Sequence, residues 1–203
     1  MTNKKTIGFA ALIAVLVSVV GGLVVYAALT QRLEIEGSAT FVPESWKVNF
    51  DTLSNPATLT GGASVVTAPT LADTLISGFK VVLTRENDSV TYTFDIENNG
   101  SIDAKLTSYV LGTPSCEGTA PTALADEAIV CSSNLLYTLK YVSGDLSTNG
   151  LTAGNNVAIN DMLKKQTTVK VALKLEFSGA ATVLPTNTVQ ISGLDSYFIY
   201  SAQ

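Results

Sequence analysis

Residues Asp88 to Val110 read DSVTYTFDIENNGSIDAKLTSYV, and their pattern decides the fold class. Val90, Tyr92, Phe94 and Ile96 alternate with Ser89, Thr91, Thr93, Asp95 and Glu97. Successive side chains of a strand point to opposite faces, so this segment carries one apolar and one polar face, as in a strand lying on a core. Asn98, Asn99, Gly100 and Ser101 then break the alternation. Asn and Gly tolerate positive φ, which a tight turn needs. Alternation resumes with Ile102, Ala104 and Leu106 against Asp103, Lys105 and Thr107. The expectation is strand, turn, strand, with Asn98, Asn99 and Gly100 as the turn motif.

The same period extends outward in both directions. Leu33, Ile35, Ala39 and Phe41 alternate with Glu34, Glu36, Ser38 and Thr40, with Gly37 as the place for a bulge. Trp46, Val48 and Phe50 predict a short strand, and Phe79, Val81 and Leu83 another. Asn55-Pro56 and Gly61-Gly62 are turn signals. Beyond the opening stretch, Gly112 to Ser133 reads as a long irregular region, with one or two helical turns over Thr122 to Ile129. Leu135 to Tyr141 and Val169 to Phe177 are alternating strands, the second carrying Lys170, Lys174 and Glu176 on its polar side. Gly144 to Asn156 is loop, and Val157 to Lys165 is either a short helix or a lead-in to the next strand. Val189, Ile191 and Tyr197 to Tyr200 end the chain as strand. Eight to ten strands and almost no helix predict an all-β fold, an antiparallel two-sheet β-sandwich of jelly-roll or immunoglobulin-like kind. A closed barrel is the lesser alternative.

Composition and the N-terminus bear on place. The chain has 203 residues, enough for one domain with a sizeable core, and a formal net charge of −5. Lys4 and Lys5 precede an uncharged run from Ile7 to Leu29, whose 23 residues would span roughly 35 Å as a helix, enough to cross a bilayer. Residues 1–29 are therefore a signal peptide or a transmembrane anchor, and residues 30–203 a β-sandwich domain. Val25-Tyr26-Ala27 has the small-x-small form of a signal peptidase site, which makes cleavage the preferred fate. If the segment is retained, residues 7–29 tie the domain to the membrane. Either fate puts the domain outside the cytoplasm, as a secreted or cell-surface protein. Without Lys4 and Lys5, 17 acids face 10 bases, so phosphate backbones are repelled and nucleic acid is an unsuitable partner.

Chemistry is harder to place. There is no histidine, the commonest general base and zinc ligand, and no Gly-x-Ser-x-Gly, so neither a serine triad nor a usual metal site is marked. No cofactor is called for and no catalytic residue stands out. Asp95, Glu97 and Asp103 flank the turn and have the oxygen ligands of a calcium site, but a solvated strand face explains them more simply. Tyr137, Tyr141, Tyr197 and Tyr200 suit either a sticky surface or core packing with the hydroxyl at the edge, the second being preferred. Cys116 and Cys131 are the two cysteines; an even count behind an export signal predicts a disulfide, closing a loop of about 15 residues. Leu184 to Thr188 has the look of a sortase signal without its Thr-Gly ending.

The Lys-led leader ending near Tyr26-Ala27-Ala28, the run Phe94 to Ser101 followed by Lys105, and the late Lys-rich strand Val169 to Phe177 together resemble the TasA/camelysin family of secreted bacterial biofilm-matrix fibre proteins, with its SipW-type signal peptide. The resemblance implies a jelly-roll subunit that polymerises into extracellular fibres, each copy donating an N-terminal strand to its neighbour. The metallopeptidase label given to some members is not carried over, because the chain lacks histidine. A physical reason supports donation independently: once the leader is removed, Leu33, Ile35, Ala39 and Phe41 belong to an alternating strand at a free terminus, and a sheet edge offers it unpaired backbone groups. The alternative is that this strand pairs inside its own domain. The functional expectation is thus a non-catalytic structural subunit of a matrix or surface fibre, partnered by copies of itself and by signal peptidase during export. The competing expectation is a membrane-tethered binding or adhesion module.

Overall fold

A computed structural model describes residues 45–118 and 123–203. The apolar run 7–29 and the candidate donor residues Leu33, Ile35, Ala39 and Phe41 lie outside the described residues. Among the described residues no helix is long and apolar enough to cross a membrane.

The fold is all-β, and its strands form antiparallel sheets arranged as a sandwich. In one layer β7 (Ser89–Asn98) and β12 (Thr167–Phe177) are central, with Phe94 opposite Val171 and Tyr92 opposite Leu173. β1 (Val48–Asp51) and β2 (Thr58–Thr60) line up along the outer side of β7, and β10 (Leu135–Gly144) lies along β12. The facing layer has two further sheets, of five and four strands. One contains, in order, β11 (Met162–Leu163), β8 (Ala104–Leu111), β14 (Ser196–Ala202), β5 (Leu75–Ser77) and β4 (Thr70–Ala72). The other contains β3 (Ser64–Thr67), β6 (Lys80–Val82), β13 (Val189–Ser192) and β9 (Ser115–Gly118). The short helix α1 (Ala123–Val130) follows β9 in the chain.

The apolar faces read from the sequence are the buried ones. Val90, Tyr92, Phe94 and Ile96 on β7 and Val169 to Phe177 on β12 put every second side chain into the core. Each such side chain contributes roughly 1.5–3 kcal/mol on burial. Phe198 of β14 reaches across the layers, 5.0 Å from the ring of Phe50 and 6.5 Å from that of Phe94. Phe79 meets Tyr92 edge-on at 5.7 Å, so the four-stranded sheet closes the same core. Tyr137 ties the layers at their rim: its hydroxyl donates to the Leu194 carbonyl at 2.6 Å.

The strand-turn-strand reading holds, with β7 and β8 on either side of Asn98-Asn99-Gly100; β7 belongs to one layer and β8 to the other, so the turn carries the chain across the sandwich. Two features differ from the sequence reading. The described residues hold fourteen strands rather than eight to ten. The extra ones, such as β2, β4 and β11, have two or three residues, too few to show a period. The region Gly112 to Ser133 is also less irregular than expected, because β9 pairs with β13 there, with Cys116 opposite Ile191.

Buried carboxylates hold the turns. Asp88 is fully buried and accepts from the backbone N–H of Gly62 at 2.7 Å, of Thr84 at 2.8 Å and of Arg85 at 3.1 Å, and from the Thr84 hydroxyl at 2.9 Å. A Cβ at Gly61, where φ is +69°, would lie 2.0 Å from the Asp88 carboxylate, so only glycine fits.

Candidate functional site

The turn at the end of β7 is the hub of a hydrogen-bonded cluster. Asn98 is fully buried, a costly position for an amide unless each polar atom is paired. Its Nδ2 donates to the carbonyls of Ile102 at 2.8 Å and Leu163 at 3.0 Å, and its Oδ1 accepts from the Gly100 N–H at 3.0 Å. Gln166 adds two more bonds, donating from Nε2 to the carbonyls of Asn99 at 2.9 Å and Gly100 at 2.8 Å.

The same turn holds the first described residues. The Ser45 N–H donates to Ser101 Oγ at 2.8 Å, and the Ser101 N–H donates back to the Ser45 carbonyl at 2.9 Å. The Asn99 N–H donates to the Lys47 carbonyl at 2.9 Å, after which the regular β1–β7 ladder begins with Val48 opposite Asn98.

Trp46 and Val48, on the alternate positions, line a groove of about 410 Å³ together with Asp73, Phe198, Ile199 and Tyr200. The groove runs beside a half-used strand. β5 pairs with β14 at Ser196 and Tyr197, and the Phe198 N–H donates to the Thr74 carbonyl at 3.1 Å. From Ile199 to Ala202, among the described residues, β14 has a strand partner on its β8 side alone. Ile199 is 49 % exposed, Trp46 43 % and Tyr197 44 %, so apolar surface flanks this edge. Burial pushes the Tyr200 phenol above its usual range, with the Asp161 carboxylate adding to the effect.

The acids of the calcium reading are each engaged by the fold. Asp95 is ion-paired with Lys170 at 2.6 Å, and Glu97 accepts from Asn99 Nδ2 at 2.9 Å. Asp103 accepts from the Lys165 N–H and from Lys164 Nζ, both at 2.9 Å, and these bonds hold its carboxyl below the usual range. Among the described residues no group of three or more His, Cys, Asp or Glu is gathered as a metal would need.

The tyrosines divide. Tyr141 is buried with its hydroxyl donating to Asp161 Oδ2 at 2.8 Å, and Tyr137 is bonded at the rim as described. Tyr200 lines the groove and Tyr197 stands on the outer face.

Cys116 and Cys131 form the disulfide, with their Cα atoms 5.9 Å apart. The bridge joins β9 to the end of α1. It is not the only fastening there, since Glu127 accepts from the Gly118 N–H at 2.8 Å. Buried Asp126 accepts from the N–H groups of Thr186 and Asn187 at 2.8 and 3.1 Å, which binds the Leu184 to Thr188 segment to α1. Sequence reading missed Asp88 and Asp126 as anchors. Their partners lie at separations of up to 61 positions, and no local pattern marks them.

Compared with protein-family models, with curated proteins and with solved structures, the chain finds no match. The fold defines the class: an antiparallel β-sandwich with an internal disulfide, of the kind that belongs in an oxidising compartment.

Proposed function

We propose that the protein is an exported, non-catalytic structural subunit of an extracellular matrix or surface fibre, and that copies join by strand donation. In this reading, residues 33–41 of one copy add to the open edge of β14 in the next. The observation that carries it is that, among the described residues, β14 from Ile199 on is paired on its β8 side alone, beside a groove with exposed Trp46 and Ile199. Backbone pairing would supply the affinity, and the alternating apolar side chains at Leu33, Ile35, Ala39 and Phe41 would fill the groove. The disulfide favours an oxidising location, in keeping with an export signal. Electron microscopy of the processed protein is the test. Filaments from the chain beginning near Ala28, and none after deletion of residues 28–41, support donation. Unchanged filaments after the deletion reject it.

A second reading has one observation in its favour. The groove volume falls within the range of about 300–1,000 Å³ typical of ligand clefts, and Trp46 and Asp73 give it an aromatic face and a carboxylate. That reading is a tethered binding module. It predicts a persistent monomer under all conditions in which the first predicts filaments.

A further inference from the structure

We infer that the Asn99-Gly100-Ser101 turn is a clamp that seats Ser45 to Lys47 on the end of β7 and so places Trp46 as a wall of the groove beside β14, and that it acts as a positioning device for assembly. This rests on the strand-donation reading.

The clamp joins backbone groups and one side-chain hydroxyl. Ser45 and Ser101 exchange two hydrogen bonds, at 2.8 and 2.9 Å, and Asn99 holds the Lys47 carbonyl at 2.9 Å. The closeness depends on Gly100. A Cβ there would sit 2.4 Å from the Ser45 carbonyl oxygen and 3.0 Å from the Lys47 nitrogen. Behind the turn, Asn98 and Gln166 hold it from three sides, through Ile102, Leu163 and the turn's own carbonyls.

Alternation supplies the functional link. Ser45 and Lys47 bond the turn while Trp46, between them, lines the groove along β14. The contact therefore sets the position of a groove wall that would receive the neighbour's donor segment. A groove wall held in place before the donor arrives has less freedom to lose on joining than one that must be ordered at that moment. A fixed wall also gives successive copies a constant relation, as a fibre with a regular repeat requires.

The experiment compares wild type, Ser101→Ala, Ser101→Thr and Gly100→Ala by filament yield and repeat in electron microscopy, with thermal melting and amide exchange on the unassembled domain. Ser101→Ala removes one acceptor and leaves the core untouched. The expectation is an unchanged melting transition, exchange at Ser45 faster by about tenfold, and filaments that are fewer or irregular in repeat. Ser101→Thr keeps the hydroxyl and should restore both. Gly100→Ala should do more damage than Ser101→Ala. Wild-type filaments together with equally abundant, equally regular filaments from Ser101→Ala and Gly100→Ala would overturn the clamp while leaving strand donation standing. Absence of filaments from the wild type would overturn the donation reading and, with it, the clamp's part in assembly.

Discussion

The side-chain amide of Asn98 donates to the carbonyl of Leu163 at 3.0 Å, across 65 positions of sequence. This bond ties the end of β7 to β11 in the facing layer, at the point where the chain changes sheets. Truncation to Ala leaves the buried Leu163 carbonyl, the half-buried Ile102 carbonyl and the buried Gly100 N–H without their partner. Asn98→Ala is expected to cost about 3 kcal/mol, since each buried polar group left unpaired costs roughly 1–3 kcal/mol and relaxation recovers part of it. Asn98→Asp should also destabilise, because it replaces the donor with an acceptor facing two carbonyls. Urea unfolding of the domain measures both.

Asp88 governs stability on the acid side. Burial alone would raise its pKa, but bonds from the Thr84 and Gly62 N–H groups, the Thr84 hydroxyl and the Arg85 N–H together outweigh that, so the net shift is downward from 3.8. A carboxyl lowered in the fold stabilises it above the unfolded value, and that contribution is lost as pH falls through the folded one. Asp88→Asn should therefore be less stable than wild type at pH 7 by roughly 2 kcal/mol, with the gap narrowing below about pH 4. Melting temperatures of the two proteins between pH 2 and 7 would show parallel curves if Asp88 has no such role.

The disulfide closes a loop with a sequence separation of 15. Cys116→Ser with Cys131→Ser is expected to cost about 3 kcal/mol by the loop-entropy estimate. The fold should survive, because Asp126 and Glu127 still fasten α1 and the neighbouring loop. Loss of the sandwich circular-dichroism spectrum in the double variant would show that the bridge is required for folding rather than an added fastening.

Tyr92 makes the opposite kind of prediction. It is 1 % exposed, and its hydroxyl has no hydrogen-bond partner among the described residues. Removing an unpaired buried hydroxyl relieves a desolvation cost at little loss of packing. Tyr92→Phe should be neutral or stabilising by up to about 1 kcal/mol, whereas Phe94→Ala, a few residues along the same face, should cost about 3–5 kcal/mol. Parallel denaturant titrations separate the two.

Trp46 is the only tryptophan in the chain and lines the groove with 43 % of its surface exposed. A strand arriving beside β14 would cover it. Its fluorescence should shift to shorter wavelength as filaments form, and the shift should be absent in protein lacking residues 28–41. An emission maximum that stays constant through assembly would place the contact elsewhere.

Much of the architecture was legible along the chain. Where one face of a strand meets the core and the other meets water, a period of two is written directly into the residues, as from Val90 to Ile96 and from Val169 to Phe177. The cysteine pair was readable too, since only one pairing exists. Distant partners were not legible. That β7 and β8 lie in opposite layers, that Asn98 closes on Leu163, that Asp126 holds Thr186, and that β14 runs on past the end of β5 all depend on which segments meet after folding. Alternation is a local property and fixes which way a side chain faces; strand order and hydrogen-bond closure arise between segments tens of residues apart, and only the tertiary structure decides them.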